Sequence, residues 1–338
     1  MIRPDLDSLP AYVPGVRDER AIKLSSNECA EEPLPAVVDA MARSLGTVNR
    51  YPDMGALEIR EALAAHLGVA VKQVAVGTGS SALCQQLVEI AAQPGDEVIF
   101  PWRSFEAYPI FAQVVGATGV PVALDRNHRV DLPAMAAAVT TRTKLIFVCN
   151  PNNPTGTTIT NDEFAAFMDA VPADVIVALD EAYFEYNRAA DTPVATDVIT
   201  RYRNVVGLRT FSKAYGLAGA RIGYAFGPDR IIAALNKVAI PFSVSSMAQV
   251  AALASLEATA ELEARIDDTN SQRERVVAKL GLGESQANFV WIPDASAELP
   301  ERLAEEGVLV RAFPEGVRVT VTNAAETDAF LEAWDRAQ

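Results

Sequence analysis

Histidine is nearly missing from this chain. Only His66 and His128 occur in 338 residues. So low a count argues against a histidine-rich metal site and against a Ser-His-Asp triad as the main chemistry. Cysteine is scarce as well. Cys29, Cys84 and Cys149 are odd in number, widely spaced and free of any CxxC pair. Zinc ribbons and disulfide frameworks are therefore not expected, and a reducing cytosol is. Positive charge is in deficit, with 29 Lys and Arg against 44 Asp and Glu, a net charge of −15. Such a surface repels phosphate backbones and anionic lipid, so neither nucleic acid nor a membrane is an expected partner. No apolar run reaches the roughly 18 residues that a membrane span needs. No apolar segment follows Met1-Ile2-Arg3-Pro4-Asp5, so no secretory leader is expected.

What remains is rich in core-forming residues: 50% are hydrophobic and 22% charged. The length suggests about two domains, at roughly 150 residues each. Pro4, Pro10 and Pro14 mark an extended N-terminal arm. Helical stretches follow at 36–45 and 58–67. From Val74 onward the texture changes to short strands alternating with helices. Val74-Ala75-Val76 and Val98-Ile99-Phe100 read as strands around a helix at 80–92. Residues 144–149 (KLIFVC) and 175–179 (VIVAL) are continuous apolar runs, as in strands of a parallel sheet covered on both faces. A helix at 161–171 lies between them, with Asn161 at its expected N-cap and Pro172 as its stop. Residues 205–208 form another short strand. The whole is the βα alternation of an open α/β sheet.

Beyond Pro241 the texture shifts. Residues 247–267 read as one long helix, continuing or bending toward Lys279. Strands at 289–292, 308–310 and 317–321 alternate with helices at 298–306 and from Glu326, which suggests a smaller α+β domain. The expected division is an arm at 1–35 that goes with the small domain, a large domain at 36–241 and a small one at 242–338.

Ligands of open α/β sheets sit beyond the carboxyl ends of the strands. Four loops matter there. Gly77-Thr78-Gly79-Ser80-Ser81-Ala82 formally fits a dinucleotide fingerprint. No acidic residue follows the next strand, however, where Pro101-Trp102-Arg103 stands instead. The loop then holds a single phosphate at a helix N-terminus, with help from Ser80 and Ser81, or is an ordinary tight turn. After KLIFVC comes Asn150-Pro-Asn-Asn153-Pro-Thr-Gly156. After VIVAL comes Asp180-Glu-Ala-Tyr183. After residues 205–208 comes Arg209-Thr-Phe-Ser212-Lys213. Lys213 is either a solvated amine or, among small and apolar neighbours, a desolvated one with nucleophilic character. Arg221 is a second fixed cation suited to phosphate. Asp180 either caps a helix or faces a pyridine nitrogen and keeps it protonated.

Taken together, Asn150-Pro-Asn-Asn-Pro-Thr-Gly, Asp180-Glu-Ala-Tyr and Thr210-Phe-Ser-Lys-Ala-Tyr-Gly-Leu-Ala-Gly-Ala-Arg-Ile-Gly-Tyr resemble the signatures of fold type I, class II pyridoxal-phosphate aminotransferases. The likeness spans nearly the whole chain, in the family's motif order. It is strongest toward the histidinol-phosphate aminotransferase branch. Within that branch the short chain and Leu24-Ser-Ser-Asn27-Glu28 look most like actinobacterial aromatic amino acid (phenylalanine) aminotransferases.

The resemblance implies a fold type I transferase, with a mostly parallel sheet sandwiched by helices and a smaller α+β domain. It implies pyridoxal 5′-phosphate as cofactor and a cytoplasmic homodimer with shared active sites. The reaction implied is ping-pong transfer of an amino group between an aromatic amino acid and 2-oxoglutarate, with histidinol phosphate as the alternative substrate. Lys213 would be the lysine joined to the cofactor, and Asp180 the partner of its ring nitrogen. Tyr183 and Asn153 would meet its 3′-oxygen. Gly79, Ser80, Ser212 and Arg221 would hold its phosphate, and Phe105 would stack on the ring. Many relatives carry tyrosine at that stacking position, so a hydroxyl is absent here. Tyr51 would reach the neighbouring subunit's phosphate. Tyr12 and Asn27 would line the substrate pocket, and Arg318 would bind the substrate carboxylate. Arg311 is the weaker carry-over, and in relatives a pair of arginines here can serve a phosphate-bearing substrate, which keeps histidinol phosphate as the alternative. Tyr12, Trp102, Phe105 and Tyr108 would make an aromatic entrance.

Overall fold

A computed structural model describes residues 20–337 together with Ile2, Asp7 and Asp18. Strand β1 (Ile22–Lys23) leads into helices α1 (Pro35–Ser44) and α2 (Leu57–Leu67). Then the βα alternation begins, with β2 (Val74–Gly77), α3 (Ser80–Ala91), β3 (Glu97–Trp102), α4 (Tyr108–Val114) and β4 (Thr118–Ala123). It continues through α5 (Leu132–Ala137), β5 (Thr143–Cys149), α6 (Asn161–Ala170), β6 (Ile176–Asp180), α7 (Ala195–Arg201) and β7 (Val205–Thr210). Strand β8 (Gly223–Phe226) and helix α8 (Asp229–Val238) complete this part.

These strands make one seven-stranded sheet in the order β2-β8-β7-β6-β5-β3-β4. All neighbours are parallel except β8, which runs antiparallel to both β2 and β7. Two antiparallel steps restore the direction of β2. The carboxyl ends of β2, β5, β6 and β7 therefore share one rim, as the sequence pattern predicts. Strand β5 shows why the apolar runs are continuous. Leu145, Phe147 and Cys149 enter one core with Leu83 and Leu87 of α3 and Ile232 of α8. Ile146 and Val148 enter the other, with Ile59 and Leu63 of α2 and Phe164 of α6. Successive side chains alternate faces, and here both faces are covered.

The remaining chain forms α9 (Ser246–Glu257), α10 (Thr259–Leu280), β9 (Phe289–Pro293), α11 (Leu299–Glu305), β10 (Val308–Leu309), β11 (Arg311–Phe313), β12 (Gly316–Thr320) and α12 (Ala324–Ala337). Strands β11, β12 and β9 make a small antiparallel sheet, and β1 pairs in parallel with β10. Leu24, Val276, Val290, Leu303, Val319 and Phe330 form its own core.

Three local expectations need correction. The N-cap of α6 is Thr160, not Asn161. The Thr160 hydroxyl accepts from the Glu163 amide, and the Glu163 carboxylate accepts from the Thr160 amide. That reciprocal capping box satisfies two donors at once. The alanine-rich stretch is two helices, not one, broken at Ala258 with φ −86° and ψ 50°. The single strand expected at 308–310 is two strands with different partners, β10 on β1 and β11 on β12. The packing of α9 bears on the division into lobes. Ala248, Ala251 and Ala252 of α9 and Leu262 and Ile266 of α10 lie in the core beneath the large sheet. We therefore propose that the division between the lobes falls within α10 and not at 241. Limited proteolysis or hydrogen exchange, showing α9 protected together with the large sheet, tests this placement.

Candidate active site

A cavity of about 590 Å³ opens on the rim where these strands end. The glycine turn after β2, the loops after β3, β5, β6 and β7, and β11 and β12 of the small lobe all reach it. It brings together Asn27, Ser80, Phe105, Asn153, Asp180, Tyr183, Ser212, Lys213, Arg221, Arg311 and Arg318, from positions spread over nearly three hundred residues.

Lys213 follows β7. Its ammonium group donates to the Asn27 carbonyl at 3.3 Å and the Ser26 carbonyl at 3.4 Å. Burial pushes its pKa down to about 8, and the nearby Arg318 guanidinium acts in the same direction. Desolvation and a neighbouring cation both disfavour the charged amine. Asp180 ends β6 and is buried. The Tyr108 hydroxyl donates to its Oδ2 at 2.6 Å, and the Ala182 amide donates to Oδ1 at 3.2 Å. Burial raises the Asp180 pKa to about 6, against the lowering effect of those two hydrogen bonds. At neutral pH the carboxylate is thus charged, desolvated and held in place. It suits a cationic partner.

At the other end of the cavity lies an anion cradle. Gly79 sits at φ +80° before α3, and a Cβ there would come within 2.5 Å of an Arg221 guanidinium nitrogen. Across the sheet, a Cβ on Gly223 would come within 2.4 Å of the Ser80 amide nitrogen. Glycine at both positions lets backbone and guanidinium close around one small space. Arg221 Nη1 donates to Ser212 Oγ at 3.3 Å. The first amides of α3, two hydroxyls and a guanidinium make a site suited to a phosphate group.

Between the two ends, the Tyr183 hydroxyl accepts from Asn27 Nδ2 at 2.9 Å. Burial holds Tyr183 well above the usual phenol range, so the group stays protonated. Asn27 has φ +54° and is further tied to Thr320 through its amide and its side chain. Arg318 on β12 donates to Asn153 Oδ1 and to the Ser25 carbonyl, both at 2.6 Å. Arg311 lies directly opposite it on β11 and pairs with Glu106 at 2.7 Å.

Tyr51, expected at the neighbouring subunit's phosphate and not in its own chain's site, lies outside the cavity. It is 83% exposed and stacks on Phe242 with ring centroids 4.7 Å apart. Tyr12 lies outside the described residues. The aromatic entrance needs correction: among its described residues, Phe105 alone lines the cavity. Trp102 faces a separate groove with Phe100 and Pro121, and Tyr108 is fully buried behind Asp180, stacked on Phe147 at 4.4 Å. The partnership of Tyr108 with Asp180 carries no local sequence signal, because 72 residues separate the two.

Behind the site, Arg209 and Glu181 form a buried ion pair at 2.8 Å, with the guanidinium 3.4 Å over the Phe184 ring. The Glu181 carboxylate also accepts from the Ala195 amide. The pair ties β6 to β7 just below Asp180 and Lys213.

The residues present fit a ligand that carries a phosphate, a basic aromatic ring and a carbonyl group open to an amine. Among the described residues no group of His, Cys, Asp or Glu is arranged to hold a metal ion, and no helix is long and apolar enough to cross a membrane.

The family model of aminotransferase class I and II matches residues 19–333. An aromatic amino acid aminotransferase of Corynebacterium glutamicum (strain R) is 64% identical, over 99% of this chain and 98% of its own. One from Rhodococcus jostii (strain RHA1) is 54% identical over 97% of this chain and 94% of its own. Among solved structures, histidinol-phosphate aminotransferase from Sinorhizobium meliloti in complex with pyridoxal-5′-phosphate is similar with a TM-score of 0.89 at 28% identity. That likeness covers 99% of this chain and 97% of the other.

Proposed function

The chain belongs to the class I and II aminotransferases, and from that premise we propose that it moves an amino group between an aromatic amino acid and 2-oxoglutarate, with pyridoxal 5′-phosphate as cofactor. The observation that carries this reading is the shared cavity of Lys213 and Asp180, with an anion cradle at its other end. The names of the relatives support the substrate class.

When bound, the cofactor supplies a ring that accepts the electron pair left as a C–H or C–N bond at the substrate is rearranged. The chain's residues supply position and protons. Ser80, Ser212, Arg221 and the first amides of α3 would hold the phosphate. Asp180 would keep a proton on the ring nitrogen. Tyr183 and Asn153 would meet the ring oxygen, and Phe105 would stack on the ring. Arg318 would bind and orient the substrate carboxylate. Lys213 would be the covalent anchor, and its amine, neutral once free, would take the proton from the substrate Cα. Both half-reactions use the same residues, so ping-pong kinetics are expected.

Steady-state assays with phenylpyruvate and with imidazole-acetol phosphate test the substrate assignment. A higher kcat/KM for phenylpyruvate is expected. A large preference for the phosphorylated ketone would overturn it in favour of histidinol-phosphate transamination.

We further propose a homodimer with shared active sites, in the cytoplasm. Val38 on α1, Leu57 on α2, and Leu45, Val48 and Met54 between them are exposed, and Ile240 is 72% exposed. The Tyr51–Phe242 stack joins the two segments. So much exposed apolar surface beside one active site suits a second copy of the chain. Sedimentation should give a mass of two chains, and Tyr51→Asp together with Phe242→Asp should shift it to one. A wild-type monomer that is fully active would rule the dimer out. Recovery of the activity in a membrane or exported fraction would count against the cytoplasm.

A further inference from the structure

A chain of hydrogen bonds leads from β12 to the cavity. Thr320 ends that strand and is buried. Its amide donates to the Leu24 carbonyl at 2.9 Å, which holds the segment before Asn27 against β12. Its hydroxyl oxygen accepts from the Asn27 amide at 2.9 Å, and its hydroxyl proton goes to Asn27 Oδ1 at 3.1 Å. Asn27 Nδ2 in turn donates to the Tyr183 hydroxyl at 2.9 Å. The Tyr183 ring stands edge-on to Phe289, with centroids 5.0 Å apart, so the phenol has a fixed direction.

Donor counting gives the chain its polarity. A side-chain amide has an acceptor end and a donor end, and a hydroxyl has a single proton. Thr320 gives its proton to Asn27 Oδ1, so the NH2 end of Asn27 is the one that faces Tyr183. Were that amide turned over, its oxygen would face Tyr183, and the buried Thr320 proton would have no acceptor among the described residues. As built, the Tyr183 oxygen accepts, and its own proton has no acceptor among the described residues. Tyr183 lines the cavity, so that proton is available to a ligand there.

We propose that Thr320 is a positioning residue: its hydroxyl, acting through the Asn27 side-chain amide, keeps the Tyr183 hydroxyl proton free to donate to the cofactor's ring oxygen. The inference rests on the reading, given above, that Tyr183 meets that oxygen. A donor there favours the negatively charged form of the oxygen, so the bound cofactor takes up its proton at lower pH. With valine at 320 nothing holds the Asn27 oxygen. The amide is then free to turn, and Tyr183 donates to Asn27 instead.

The test is a pH titration of the bound-cofactor absorbance band in substrate-free holoenzyme. The midpoint should rise by roughly 0.5–1 unit in Thr320→Val, the scale of one hydrogen bond. It should stay at the wild-type value in Thr320→Ser, which keeps the hydroxyl. Tyr183→Phe should raise it too. Adding Thr320→Val to Tyr183→Phe should raise it no further, because both act through one proton. None of these substitutions alters a charge. Asp180, Lys213 and Arg318, which face Tyr183 from β6, the loop after β7 and β12, are kept in every variant. If Thr320→Val does not hold cofactor, Thr320→Cys, with only a weak donor, is read in its place and should move the midpoint in the same direction. An unmoved midpoint in the variant read, an equal rise in Thr320→Ser, or an additive rise in the double variant overturns this inference alone. A Tyr183→Phe midpoint equal to that of the wild type overturns the placement of Tyr183 at the ring oxygen, and this inference with it.

Discussion

Lys213→Ala should lose nearly all transaminase activity while keeping its fold. The amine at 213 has two tasks, and alanine can do neither. In the proposed reaction it is the covalent anchor of the cofactor and moves the proton at the substrate Cα. The second task alone is worth roughly 10²–10⁴-fold in rate for a positioned proton-transfer group. The side chain ends in the cavity with two backbone carbonyls as its hydrogen-bond partners, so its removal leaves the core intact. Borohydride followed by mass spectrometry should fix cofactor to the wild type at Lys213 and leave the variant unmodified. A variant retaining a tenth of the wild-type kcat, or one still labelled, would sink the assignment. The pH dependence of the anchor follows from burial. With its pKa pushed down to about 8, the amine is protonated below that pH and neutral above it. Covalent uptake of cofactor by ligand-free protein should therefore speed up as pH climbs through about 8.

Some of this was legible because the chemistry leaves a local trace. Strands β5 and β6 are covered on both faces, so they read as unbroken apolar runs. The loops after them then fall on one rim by topology alone. Other parts leave no such trace. Strand β4 contains Gly119 and Pro121, which weaken any strand pattern. It survives because it is the edge of the sheet, where a missing N–H faces no partner. The break between α9 and α10 falls at an alanine, a residue with no tendency to stop a helix. Residues of both helices reach the large core on either side of it. The site divides in the same way. Lys213, Asp180, Asn153 and Arg221 stand in contiguous motifs at strand ends. Tyr108 on Asp180 and Glu106 on Arg311 are contacts across 72 and 205 residues. Such pairs are products of the fold, and single-sequence periodicity carries no information about them. Tyr108 also looked like an entrance residue, because an aromatic near a strand end is compatible with either face of the loop.

Asp180→Asn should be the second most damaging single change. The asparagine has nearly the same shape and its side-chain oxygen can still accept from the Tyr108 hydroxyl, so the cavity should persist. What disappears is the charge. A carboxylate facing a ring nitrogen keeps a proton there, and that positive charge stabilises the negative charge that develops when Cα loses its proton. The group is buried, where such an interaction is far less screened than in water. Removing one fixed electrostatic partner of this kind costs roughly 10²–10³-fold in kcat. Measured at saturating cofactor, the loss should fall on kcat, because Arg318 still binds substrate. The pH profile separates lost charge from lost structure. Burial holds the Asp180 pKa up at about 6, so the carboxyl becomes neutral as pH falls through that value. Before cofactor binds, the wild type should therefore lose affinity for it as the medium is acidified through about pH 6. In Asp180→Asn the affinity should already be low at neutral pH and should lack that acid limb. A variant with wild-type kcat, or one that keeps the acid limb, would mean that another group holds the ring proton and that Asp180 only supports the end of β6.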